Sequence, residues 1–253
     1  MKSNKYFFHN SKKIPVDTFF NNVLYDEKIG YYSSKTPIGI KGDFLTSPTI
    51  SSLFSEIIGI WLISSWFSMG KPKKFNIVEL GPGDGKLIKI LLHTFKKFPE
   101  FNNAVNIFLY EKSNYLKNIQ KKNIANKDVN WINNFSRLKK GPVIFFGNEF
   151  FDAIPIKQFC KKKGLLFQKY YSLDKNKKII EVYKKGSSKD VLKIKKFKTL
   201  KNLKFIEFPK LGLEELKKMI KKIIKLKGCL LMIDYGYLKS NSQNTLQSVM
   251  NHK

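Results

Sequence analysis

The sequence predicts an α/β protein with a parallel β-sheet at its core, a helical extension before the sheet and a β-meander inserted into it. From Phe75 onwards, short apolar runs alternate with segments of helical periodicity. This alternation is typical of parallel strands covered by helices on both faces. The chain has 253 residues, 42% of them hydrophobic, which is enough to bury a sizeable core.

Residues 1–72 are predicted to form the mostly helical N-terminal extension. One helix is expected to begin near Asp17. A second helix should run through Trp66, with Ser47 or Thr49 as its N-cap, because short hydroxyl side chains can accept a hydrogen bond from the first turn.

The core is predicted from five buried apolar runs that have helical patterns between them. Its first part covers residues 73–153, and its second part, which is expected to be incomplete, covers residues 206–253. The predicted strands are 75–80, 105–113, 128–132, 141–150 and 228–236.

The segment 154–205 interrupts this alternation and is predicted to be an insertion. Its first part contains β-rich stretches separated by Gly164 and by a turn at 174–177, the pattern of a β-meander. Residues 186–204 are rich in lysine and show no clear periodicity.

The net charge of +29 does not by itself indicate a nucleic-acid-binding protein. Arg137 is the only arginine among the 48 basic residues, whereas base readout and bidentate phosphate contacts favour guanidinium groups. We therefore expect a solvated lysine surface with no specific nucleic-acid partner.

No membrane span, metal motif or disulfide is predicted. The most apolar stretch, 57–67, is about half the ~20 residues that a transmembrane helix needs. The three histidines are far apart, and Cys160 and Cys229 are isolated, so we expect buried, reduced thiols in a cytoplasmic protein. The sequence leaves the oligomeric state open.

A glycine-rich loop follows the first core strand and suggests a ligand site. Gly81, Gly83 and Gly85 alternate after Glu79, and glycine lets a backbone approach a ligand closely. The dinucleotide pattern would need glycine at Lys86, and a P-loop needs a different ending. The acid-x-G-x-G-x-G pattern instead resembles enzymes that use S-adenosyl-L-methionine (SAM), although a purely structural turn also fits it.

Two further strand ends carry polar groups. Glu111 ends the second strand, where a carboxylate can accept hydrogen bonds from both hydroxyls of a ribose. The fourth strand leads into NEFFDAIP, which contains Asn148, Glu149 and Asp152. The alternatives are a solvated acid at Glu111 and a helix cap at Glu149.

Together these stretches make the chain resemble the MidA family of SAM-dependent methyltransferases. The resemblance covers nearly the whole chain, and NEFFDAIP is its most specific motif. It implies a Rossmann-like methyltransferase sheet. The motifs are GYY (30–32), GDFLTSP (42–48), VELGPGDG (78–85), NEFFDAIP (148–155), QF (158–159) and DYGY (234–237).

The resemblance also implies roles for individual residues. Those expected to hold SAM or wall its site are Glu79, Gly81, Gly83, Gly85, Glu111, Gly42, Asp43, Phe44, Ser47 and Pro48. Glu149, then Asp152 and Asn148, would face the substrate. The implied reaction is methyl transfer to a protein arginine side chain, on a respiratory-complex subunit or similar partner.

Two departures from the family pattern keep other functions open. Thr49 stands where the family has an acid, and the ending TLQSVMNHK is unlike the family's C-terminus. We therefore expect a truncated chain that lacks the last strands of the sheet. The alternatives are a methyltransferase for a small-molecule acceptor and a non-catalytic assembly or binding protein.

Overall fold

The computed structural model describes residues 4–9, 11–34, 43, 51–125, 128–236 and 242–246. These residues form two compact units. The core unit comprises Tyr31–Phe150 and Glu215–Asp234. The antiparallel unit comprises Met1–Gly30, Phe151–Glu214 and Tyr235–Gln247, as far as they are described.

Ten strands and eight α-helices occur in the described residues. The strands are β1 Lys13–Pro15, β2 Phe75–Leu80, β3 Val105–Tyr110, β4 Val129–Ile132, β5 Val143–Asn148, β6 Lys157–Lys162, β7 Leu165–Leu173, β8 Ile179–Lys185, β9 Phe205–Phe208 and β10 Gly228–Ile233. The helices are α1 Val16–Tyr25, α2 Tyr31–Ser34, α3 Ser52–Ser68, α4 Lys86–Lys96, α5 Pro99–Ala104, α6 Asn114–Ile124, α7 Ser188–Lys195 and α8 Lys210–Leu226. Short 3₁₀ helices occupy Asn4–Phe8 and Lys198–Leu200.

The core unit contains the predicted parallel sheet. Its strand order is β10-β5-β2-β3-β4, and every pairing is parallel. All six residues of the central strand β2 are buried, as expected for a strand covered on both faces. The predicted α/β class is confirmed, and the carboxyl ends of all five strands lie at one edge.

Helices α3 and α4 build the main apolar cluster against this sheet. The α4 residues Leu87, Ile88, Leu91, Leu92 and Phe95 are buried at helical spacing. They pack in one cluster with Ile58, Leu62, Ile63 and Trp66 of α3. This packing fixes α4, and the glycine loop that leads into it, against the sheet.

The antiparallel unit contains the predicted meander as the neighbouring strands β6, β7 and β8. It also recruits strands from outside the predicted insertion. Strand β1 pairs with β7, and β9 pairs with β6. The prediction of 1–72 as one extension and of 206–253 as core is therefore wrong at these strands, since their hydrogen-bond partners lie in the insertion.

Three local predictions also differ from the structure. Ser51 caps α3, with its Oγ accepting a hydrogen bond from the Leu53 amide at 3.2 Å; Ser47 and Thr49 lie outside the described residues. The lysine-rich segment contains α7, whose N-cap Ser187 accepts a hydrogen bond from the Asp190 amide. Cys160 and Cys229 are free but only partly buried, not fully buried as expected.

Within the part of the chain that the structure describes, no helix is both long and apolar enough to cross a membrane. The same residues contain no group of three or more His, Cys, Asp or Glu side chains arranged to hold a metal ion.

The close approach of β10 to β5 yields a stability prediction. A Cβ added at Gly228 would collide with the backbone carbonyl of Val143, whereas one at Gly236 would meet open space. We expect Gly228→Ala to lower the free energy of unfolding by about 1–3 kcal/mol, because backbone atoms cannot move aside cheaply. Denaturant titration should show Gly236→Ala close to wild type, and equal midpoints for the two variants would contradict the close approach.

Candidate functional site

The glycine loop turns the chain from β2 into α4. Gly81, Gly83 and Gly85 have positive φ values of 61°, 56° and 82°, a region that L-residues with side chains rarely adopt. The Gly81 amide donates to the Tyr110 carbonyl at 3.1 Å, and Gly85 is the N-cap of α4. The alternating glycines are therefore required by the backbone path itself, whatever ligand the loop meets.

Glu79 lies two residues before Gly81, on the central strand, and is a buried acid with an unpartnered carboxyl oxygen. It is 3% exposed, and no group in the described residues hydrogen-bonds its Oε2. Burial raises the pKa of its carboxyl to about 8, and the nearby Asp84 adds to the rise. A buried acid without a partner is costly, and acids whose pKa is strongly shifted by burial are often found at functional sites.

Glu111 stands just beyond the end of β3 and is held from two sides. Its Oε1 accepts from the Ser113 amide at 2.7 Å, and its Oε2 accepts from Gln120 Nε2 at 3.2 Å. Burial raises the pKa of this carboxyl, although these hydrogen bonds oppose the rise. Since a carboxylate has about four acceptor positions, Glu111 keeps capacity for further donors, and it is not the solvated acid of the alternative interpretation.

The segment Asn148–Phe150 lies against the glycine loop. Asn148 Nδ2 donates to Glu149 Oε1 at 3.2 Å, and the Glu149 amide donates to the Ile233 carbonyl at 2.8 Å. A Cβ built on Gly81 would lie 3.1 Å from the Phe150 ring. The end of β5 therefore lies beside the glycine loop, as the sequence had predicted. No helix begins at Glu149 among the described residues.

Glu149 has a positive φ of 54°. A residue with a Cβ pays a conformational cost there, so the surrounding structure must hold it in place. The hydrogen bond from its amide to the Ile233 carbonyl helps to hold this backbone position at the end of β5.

The remaining predicted residues are described only in part. Asp43 accepts a hydrogen bond from the Tyr31 hydroxyl at 2.6 Å. Asp152 is exposed and belongs to the antiparallel unit. Gly42, Phe44, Ser47 and Pro48 lie outside the described residues, so their predicted place in the wall of the site stays a prediction.

Sequence reasoning missed two polar residues next to Glu111. Ser113 caps α6 by accepting from the Leu116 amide at 3.1 Å, and it donates to the Tyr32 carbonyl at 2.7 Å. Gln120 is fully buried and touches both the loop and Glu111. The signal for Gln120 was available, because it interrupts the apolar i, i+4 stripe from Leu116 to Ile124.

Residues 57–253 match the model of a protein family described as "Putative S-adenosyl-L-methionine-dependent methyltransferase". The chain belongs to this family. The match covers most of the chain and includes the glycine loop, Glu111 and the NEFFDAIP segment. It confirms the resemblance drawn from the motifs.

The proteins that are similar to this chain include mitochondrial enzymes. The protein arginine methyltransferase NDUFAF7 of Xenopus tropicalis is 33% identical over 174 residues, which is 59% of this chain and 40% of that protein. The human NDUFAF7 is 33% identical over 172 residues, 58% of this chain and 39% of that protein. The chain thus spans about two fifths of the length of these relatives.

A longer match is the NDUFAF7 homolog of Caenorhabditis elegans, 27% identical over 270 residues, which covers 96% of this chain and 63% of that protein. Among solved structures, a Burkholderia thailandensis protein bound to S-adenosyl-homocysteine matches with a TM-score of 0.71 at 18% identity, covering 92% of this chain and 61% of that one. At this identity the likeness shows a shared fold.

The residues of this chain fit SAM as a family cofactor. SAM carries an ammonium and a sulfonium group, and Glu79 offers a buried acidic oxygen that lacks a partner. Glu111 offers acceptors for ribose hydroxyls at the neighbouring strand end. Neither feature would serve a phosphate, since both are acidic.

The raised pKa of Glu79 leads us to expect a specific dependence of stability on pH. The Glu79 pKa is about 8 in the fold and 4.5 in an exposed chain, so between these values the folded state keeps a proton that the unfolded state has released. The Glu79 contribution to the free energy of unfolding should therefore fall as pH rises through this window.

Thermal and denaturant unfolding from pH 4.5 to 8 would measure this effect. In Glu79→Gln the free energy of unfolding should fall less between pH 4.5 and 8 than it does in wild type. In Glu100→Gln, which changes an exposed acid of α5, the dependence on pH should be the same as in wild type. Parallel curves for wild type and Glu79→Gln would contradict the buried, unpartnered acid.

Proposed function

We propose that this chain binds SAM at the carboxyl edge of the core sheet and transfers its methyl group to an arginine side chain of a protein. The observation that carries the proposal is the unpartnered Glu79 carboxyl under three left-handed glycines, one strand away from Glu111. Bound SAM supplies a methyl group that its positively charged sulfur already activates.

Two acids divide the task of holding the cofactor. The positive charge of bound SAM would lower the raised pKa of Glu79 and favour its ionised form, and the attraction between the two charges would be stronger in this low-dielectric site than in water. Glu111 would hold the ribose hydroxyls through acceptor positions that Ser113 and Gln120 leave open. The glycines let the backbone lie close to the ligand.

The acceptor side of the proposal rests on Glu149. An arginine guanidinium has a pKa above ~12 and is a poor nucleophile while it is charged. A carboxylate can bind it in bidentate fashion and aim one nitrogen at the methyl group. As the carbon–nitrogen bond formed, the carbon–sulfur bond would break with its electron pair on sulfur, and the displaced N–H proton would pass to water. The hydrogen bond from Asn148 Nδ2 and the backbone bond to Ile233 hold Glu149 for this task, and orientation then supplies much of the rate.

The names of the relatives support arginine as the acceptor, since the matched mitochondrial proteins are protein arginine methyltransferases. The substrate role expected of Asp152 stays a prediction. The cytoplasmic location that we inferred from the cysteines stays a prediction.

The cofactor assignment predicts a loss of affinity at Glu111. We expect Glu111→Ala to weaken binding of SAM and S-adenosyl-homocysteine by about ten- to hundred-fold, as the loss of hydrogen bonds to a charged acceptor costs about 1.5–3 kcal/mol. Isothermal titration calorimetry measures this directly. Glu56→Ala, at an exposed acid of α3, is the matched control, and equal affinities for both variants would refute the ribose assignment.

The acceptor assignment predicts a separation of binding from transfer. Glu149→Gln keeps size and loses charge, so it should bind S-adenosyl-homocysteine like wild type and lose most transfer of a labelled methyl group to an arginine-containing peptide. A peptide with lysine in place of arginine controls for the acceptor. Unchanged turnover in Glu149→Gln would overturn its role, and methylation of small molecules alone would favour the alternative acceptor.

A further inference from the structure

Gln120 is a polar residue at a buried position of α6, where the helical pattern would otherwise place an apolar side chain. It lies between Leu116 and Ile124 on the inner face of α6, and none of its surface is exposed. Burying an amide is unfavourable unless its donors and acceptor all find partners. Its partners therefore indicate why the residue is there.

The side-chain amide of Gln120 is satisfied by three different elements. Its Nε2 donates to the Gly83 carbonyl at 2.8 Å and to Glu111 Oε2 at 3.2 Å, and its Oε1 accepts from Trp131 Nε1 at 2.8 Å. Gly83 belongs to the glycine loop, Glu111 follows β3 and Trp131 lies on β4.

The chemistry of these partners fixes the orientation of the amide. An indole nitrogen only donates, so it must face the Gln120 oxygen; a carbonyl and a carboxylate only accept, so they must face the Gln120 nitrogen. A flipped amide would place donor against donor and acceptor against acceptor. The arrangement is thus a single oriented network in a dry interior, where such networks are rigid.

This network links the two parts of the candidate cofactor site. On one side it holds the carbonyl of Gly83, whose φ of 56° is unfavourable for most residues. On the other side it holds one oxygen of Glu111, while the Ser113 amide holds the other at 2.7 Å. The loop and the acid therefore have a fixed relative position before any ligand arrives.

We propose that Gln120 is a positioning residue that preorganises the glycine loop and Glu111 for the cofactor and transmits cofactor binding to Trp131. This inference rests on the proposed SAM site but assigns a role to a residue that does not itself touch the ligand. Preorganisation raises affinity because the ligand does not have to order the site.

Replacement of Gln120 tests the proposal. Gln120→Leu leaves the Gly83 carbonyl and the Trp131 indole without their partner. We expect S-adenosyl-homocysteine to bind about ten- to hundred-fold more weakly in calorimetry, as expected for unpaired buried groups. Gln168→Leu replaces another buried glutamine, on β7 of the antiparallel unit, and should leave the affinity unchanged even where it lowers stability.

A conservative variant separates positioning from packing. Gln120→Glu has nearly the same shape, but its ionised carboxylate cannot donate to Gly83 and repels Glu111. Protonation gives it one donor again. The affinity of Gln120→Glu relative to wild type should therefore rise as the pH is lowered and the new carboxyl becomes protonated, a change that a purely structural role would not produce. An affinity equal to that of wild type at every pH would overturn the proposal.

Trp131 gives a second readout that needs no turnover. The chain has three tryptophans, and the signal of Trp131 is assigned by its loss in Trp131→Phe. S-adenosyl-homocysteine should change this fluorescence in wild type and not in Gln120→Leu at saturating ligand. If wild type does not bind the ligand, the SAM proposal itself fails; if wild type and Gln120→Leu bind and respond alike, only the role of Gln120 fails.

Discussion

The parallel pairing of β2 with both of its neighbours is the constraint on which the rest of the structure depends. Val78 lies opposite Phe108 of β3 on one side and Phe145 of β5 on the other. Because all three strands run in the same direction, their carboxyl ends must meet at one edge. The glycine loop, Glu111 and the Asn148–Phe150 segment are brought together by this geometry alone, although they are far apart in the sequence.

The same edge concentrates the unfavourable features of the fold. Glu79 is buried without a partner for Oε2, the glycine loop needs three left-handed residues, and Glu149 holds a conformation that its side chain disfavours. The core packing of β2 and α4 has to offset these costs. A cationic ligand would favour the ionised form of Glu79 and give its carboxyl the partner that it lacks, so binding and stability should be coupled at this site.

The chain passes from the core unit to the antiparallel unit between Phe150 and Phe151 and returns to the core unit at Glu215. Glu149, the acid proposed to bind the substrate, is thus the second-last residue of the core unit before the chain enters the antiparallel unit. Its conformation is held by Ile233, on a strand formed after the chain has returned. The position of Glu149 therefore depends on two stretches of chain separated by the whole insertion.

The sequence by itself determined the parallel core, the glycine loop and the acid Glu111, because apolar periodicity and glycine spacing are local properties that a short window contains. It did not determine the role of Gln120, which needs Gly83 and Trp131 beside it, or the burial of Glu79 without a partner. The pairing of β1 with β7 joins residues more than 150 positions apart, and no local pattern encodes such a partner. Only the tertiary structure decided which polar groups meet, since hydrogen bonds between distant residues depend on how the whole chain packs.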